Sequence, residues 1–77
     1  MNEYIRAVLR VIAESQLPLG WYQIELRLSN IALDARPDLP PVLQDLVKRG
    51  WILEISASEI PTSRYTITTR GLEEIVK

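Results

Sequence analysis

The side chains that most often carry chemistry near neutral pH are missing from this sequence. It has no histidine and no cysteine, which removes the commonest metal ligand, the commonest general base and the thiolate nucleophile together. The neighbouring carboxylates Glu73 and Glu74 stand at i,i+1, where helical geometry points them apart, so they form no general acid/base pair. Gly20, Gly50 and Gly71 are isolated and build no phosphate-cradling loop. A metal would need an all-oxygen site, and the sequence has no dense Asp/Asn run of the calcium-loop kind. Serines and threonines between 62 and 69 suit a strand with a capped exit. The expectation is a protein that is no enzyme and uses no metal or cofactor.

With catalysis set aside, what remains is recognition, and here charge decides what is plausible. Nine Lys and Arg stand against ten Asp and Glu, for a net charge of −1, and the isoelectric point is near 5.3. A dedicated nucleic-acid binder usually shows a basic excess, because phosphate neutralisation supplies most of its non-specific affinity. The charges are spread along the chain rather than blocked. The hydrophobic share of 47% and charged share of 25% are those of a soluble globular domain. At 77 residues the chain is one domain, 1–77, with one small core, burying about 60–65% of its unfolded surface. No apolar run is long enough to span a membrane, and charges interrupt the start of the chain where a signal peptide would be apolar. These features predict a cytoplasmic protein.

The elements that must position any binding side chain follow from periodicity. From Asn2 to about Ser15, Tyr4, Ile5, Val8, Leu9, Val11 and Ile12 share one side of a helix, and Glu3, Arg6, Arg10 and Glu14 share the other. Leu17-Pro18-Leu19-Gly20 ends that helix. Between Tyr22 and Leu28 apolar and polar residues alternate as in a half-buried strand, yet Trp21, Ile24 and Leu28 also share a helical face, so local pattern leaves both open. A connector from Ser29 to Asp38 is expected to tuck Ile31 and Leu33 into the core. A helix from Leu39 to Arg49 follows, with Asp38 as its N-cap, Pro40 and Pro41 in its first turn and Gly50 as its stop.

Trp51 to Ser56 is rich in strand formers, with Trp51, Leu53 and Ile55 on one face. A turn from Ala57 to Thr62 precedes a second alternating run, Arg64 to Thr68, with Tyr65 and Ile67 on one face, so the two read as a β-hairpin. Thr68 has the position of an N-cap for a last short helix, Thr69 to about Val76, expected to bury Leu72, Ile75 and Val76.

Leu43-Gln44-Asp45-Leu46-Val47-Lys48-Arg49-Gly50-Trp51-Ile52, followed by Arg64-Tyr65-Thr66-Ile67-Thr68-Thr69-Arg70-Gly71, resembles the winged helix-turn-helix domain of PadR-like and MarR-like transcriptional regulators. Pro18-Leu19-Gly20-Trp21-Tyr22 is similar to the approach to the second helix in PadR-like proteins. The resemblance implies an α+β fold, a small winged helix: a three-helix core, a two-stranded β-hairpin wing and a short C-terminal helix, with residues 21–28 helical. It also implies that the third helix enters the major groove of DNA while the wing contacts phosphates.

Carried over to this chain, the solvent face of the third helix would be Pro41, Gln44, Asp45 and Lys48, with Arg49 at its edge. Gln44 would read adenine through its amide, and Lys48 and Arg49 would hold phosphate. Arg64, the only base of the wing, would contact DNA, or else pair with Glu54 across the strands. Asp45, the two prolines, and Glu59 and Ile60 at the wing tip depart from the pattern of a DNA reader. Two functions are therefore expected in competition: a DNA-binding transcriptional regulator acting on double-stranded DNA as a homodimer, and a winged helix that packs on a protein partner and binds no DNA. For a dimer, the seams suggested by the sequence are the first helix with Tyr4, or Trp21 and Tyr22.

Overall fold

The computed structural model describes residues 3–30, 38–56 and 63–76. The charge stripe of the first segment leaves a broad apolar face, and this forms α1, Glu3–Glu14. Its Val8, Leu9 and Ile12 are all but fully enclosed. Pro18 does more than end the helix: the two residues after it, Leu19–Gly20, form a short strand, β1. The ambiguous stretch is helical, as α2, Trp21–Leu28. Ile24 and Leu28, four residues apart, lie on its buried side. The Gln23 side chain reaches back, and its Oε1 accepts the Gly20 backbone N–H at 3.0 Å. That bond satisfies a donor that has no helical partner.

The third helix, α3, runs from Leu39 to Lys48, with prolines in its first turn where missing N–H groups cost nothing. Asp38 occupies the N-cap position, but its side chain makes no capping bond. Leu39, Leu43 and Leu46 are buried. The helix ends in a Schellman motif: Gly50 N–H donates to the Val47 carbonyl at 3.0 Å and Trp51 N–H to Leu46 at 3.1 Å. Gly50 has φ +77°, the left-handed geometry this cap requires.

Strand β2 is Ile52–Ile55 and β3 is Arg64–Ile67. They pair antiparallel, with Leu53 opposite Thr66, Glu54 opposite Tyr65 and Ile55 opposite Arg64. The hairpin is not alone, however. Leu19 and Gly20 pair with Tyr65 and Arg64, so the sheet has three antiparallel strands in the order β1-β3-β2. A two-residue strand has no periodicity to read, which is why only a hairpin was expected. The strand faces are also resolved: Ile52 and Tyr65 point into the core, while Leu53 is 56% exposed.

The last helix, α4, spans Thr69–Val76. Thr68 caps it, its Oγ1 accepting the Gly71 N–H at 3.1 Å and its hydroxyl donating to the Gly50 carbonyl at 2.7 Å. One threonine thus ties the start of α4 to the end of α3. The expected burial of Leu72 and Val76 does not occur, since they are 45% and 81% exposed. Gly71 is buried and Ile75 packs on the core instead, because Gly71 lets α4 lie so close to Trp51 that this side becomes its inner face. The protein is thus an α+β fold of four helices and one three-stranded antiparallel sheet. The expectations for Asn2, Ile31, Leu33 and the hairpin tip 57–62, with Glu59 and Ile60, lie outside the described residues.

Candidate nucleic-acid interface

The outer face of α3 carries Pro40, Pro41, Gln44, Asp45 and Lys48, all exposed. Gln44 and Lys48, one turn apart, are both exposed and make no hydrogen bond or ion pair with the described residues. Arg49 is different. It is the C-cap residue of α3, and its Nε donates to Asp45 Oδ2 at 2.8 Å. Its guanidinium also lies 5.2 Å from the centre of the Trp51 ring. An exposed i,i+4 pair contributes only about 0.3–0.5 kcal/mol and a surface cation–π contact about 0.5–1 kcal/mol. Their effect on recognition is larger than on stability, because the Asp45 charge cancels the Arg49 field where phosphate would approach.

A further cation joins this end of α3. A Cβ placed on Gly50 would lie 3.6 Å from Arg70 Nη1, so the Arg70 side chain passes over the α3–β2 turn. Lys48, Arg49 and Arg70 therefore gather where the helix dipole is negative. Sequence reasoning missed Arg70 because it lies twenty residues beyond Gly50. The available signal was Thr68, whose capping role sets where the first turn of α4 must begin.

Arg64 is not part of this group. It stands opposite Ile55, not Glu54, so the cross-strand ion pair is not formed. Its Nη1 makes one long bond, 3.5 Å, to the Pro18 carbonyl. It lines a groove of about 340 Å³ together with Glu14, Leu17, Gln23 and Arg27, among others, and no α3 residue lines that groove. Three of the four predicted contact residues, Gln44, Lys48 and Arg49, are thus brought together on or beside α3, and Arg64 faces elsewhere. Tyr4, offered as a dimer seam, is a core residue at 5% exposure. Trp21 and Tyr22 are exposed and meet edge to face at 5.8 Å.

Glu54 faces Tyr65, whose hydroxyl donates to Glu54 Oε2 at a long 3.4 Å. Burial, then the Glu54 charge, then this hydrogen bond push the Tyr65 phenol above its ordinary value of 10.0. The folded protein therefore holds this proton to higher pH than the unfolded chain does. The resulting stability is fully present below about pH 10 and is lost as pH rises toward the folded value. Tyr65→Phe is expected to flatten this alkaline decline in urea titrations across pH 9–11; an unaltered slope would assign the decline to other groups.

Among the described residues, no cluster of carboxylates forms a metal site and no helix is long and apolar enough to cross a membrane. No protein-family model, curated protein or solved structure matches the chain.

Proposed function

We propose that this protein is a small winged helix that binds duplex DNA through the outer face of α3 and acts as a transcriptional regulator. The observation that carries the reading is the free polar face of α3, Gln44 and Lys48, presented by a helix whose other side is locked down by Leu39, Leu43 and Leu46. The order α1-β1-α2-α3-β2-β3 with sheet order β1-β3-β2 supports it, since a winged helix places its third helix and hairpin in that relation. In this reading Gln44 reads a base edge, Lys48 and Arg70 hold phosphate, and Asp45 moderates affinity by holding Arg49.

Fluorescence anisotropy with short duplexes, run as a salt series, tests this. Binding is expected below about 10 μM at low salt, weakening as salt rises. Lys48→Gln should reduce the salt slope by about 0.9, as one lost phosphate contact requires, and Asp45→Asn should raise it by a similar amount by freeing Arg49. If neither wild type nor Asp45→Asn binds any duplex in that range, the DNA reading is wrong. A second reading then stands, docking on a protein partner. It is favoured by exposed Tyr22 and Leu26, one turn apart on α2, at 61% and 51%.

A further inference from the structure

Among the described residues β2 is one of the two edge strands of the sheet, and its outward backbone groups can be identified. The Trp51 carbonyl accepts the Thr68 N–H at 3.2 Å, so the carbonyl of residue 51 faces β3, while its N–H is taken up by the cap of α3. In an antiparallel strand the N–H and C=O of one residue point to the same side, and successive residues alternate. Leu53 and Ile55 therefore bond toward β3, while Ile52 and Glu54 turn their N–H and C=O groups off the sheet edge. An edge of this kind is a template for another strand. No Pro or Lys blunts Ile52–Ile55. Its one charged residue, Glu54, turns its side chain to the inner face and accepts the Tyr65 hydroxyl.

We infer that β2 pairs antiparallel with β2 of a second copy of this chain, across a two-fold axis at Leu53, joining two three-stranded sheets into one of six strands. The register follows from elementary constraints. Opposed residues in an antiparallel pair share a face, so the axis must set one residue opposite its own copy. An axis at Glu54 opposes two carboxylates, which is destabilising. An axis at Ile52 or Ile55 leaves an outward residue facing chain beyond the strand. At Leu53, Ile52 pairs with the partner's Glu54 and Glu54 with the partner's Ile52, so every outward N–H and C=O of β2 is used. On the outer face, exposed Leu53 then meets the partner's Leu53, and Ile55 meets the partner's Trp51. No like charges are opposed.

The chain has no cysteine of its own, which makes the test direct. Leu53 would be in a pair without backbone bonds between its members, where Cα atoms are about 4.5 Å apart, within disulfide range. Leu53→Cys in the full chain is expected to form a covalent dimer on mild oxidation at least about tenfold faster than Leu72→Cys or Tyr22→Cys, as a preformed contact raises effective concentration. Sedimentation of the wild type at about 1 mM should show dimer even for a millimolar dissociation constant. Leu53→Glu, still folded by circular dichroism, should remain monomeric there. Equal oxidation rates for the three cysteine variants, faster crosslinking at Tyr22→Cys, or a wild type that is monomeric at that concentration would each overturn the inference.

Discussion

Gly71→Ala is expected to lower stability by about 3 kcal/mol or more, a cost at or above the upper end of ordinary overpacking. For a domain of this size that corresponds to a fall of roughly 12–24 °C in Tm. The new methyl group would overlap the Trp51 carbonyl oxygen and lie 2.7 Å from Ile67 Cδ1. A side chain can give way, but this oxygen belongs to backbone held from two directions. It accepts the Thr68 N–H, and Thr68 in turn caps α4 and bonds the Gly50 carbonyl. Relief would require α4 to move as a body and release that cap. The substitution gains up to about 1 kcal/mol of helix propensity, so the contact cost must exceed the measured loss. Thermal and urea unfolding, with an unchanged m value, would measure it. A loss under about 1 kcal/mol would mean that α4 withdraws from Trp51 without disturbing the core.

The second large effect is a contrast between neighbours. Ile52→Ala is expected to cost about 2–5 kcal/mol, because Ile52 is 2% exposed and its loss leaves a cavity in the core cluster to which it belongs. Leu53→Ala, one residue on, should change stability by no more than about 0.5 kcal/mol when measured at micromolar concentration, as surface substitutions do. Side chains alternate across a strand, so this pair reports directly which face of β2 is inside. Equal losses would place the strand in a different register from the one described.

That contrast also marks where the sequence is informative. In α1, charge and apolarity separate so cleanly around the helix that the buried set could be named in full. In β2, Ile52, Leu53 and Ile55 are all apolar, as is Trp51 just before it, and composition alone gives no reason to choose Ile52 over Leu53 as the inner residue. The choice is made by Tyr65, which is buried opposite Glu54 and so sets the inner face of the pair. For α2 the alternation of Tyr22 to Leu28 is satisfied by either secondary structure. Tertiary context decided it, through Ile24 and Leu28 against the core and Gln23 against Gly20.

The candidate site shows the same division. The Asp45–Arg49 pair lies at i,i+4 on one helix, a spacing present in the sequence although only the departure of Asp45 from a DNA reader was expected of it. The position of Arg64 depended on a strand register and on β1, a strand that exists only because residues near Tyr65 come to meet it. Arg70 joined the end of α3 through a turn and a cap that no local pattern spans.

The central place of β3 has a consequence during synthesis on the ribosome. Leu19 pairs with Tyr65, 46 positions later (65 − 19 = 46). At about 5–20 residues per second, the nascent chain must wait roughly 2–9 s between making one strand and making the strand that joins it. Through that interval Leu19 has no strand to pair with, and α1, whose buried face carries Leu9 and Ile12, lacks the strand β3 that later packs on it. A chaperone that holds apolar segments would find its binding window there, and the arrival of Tyr65 would end it.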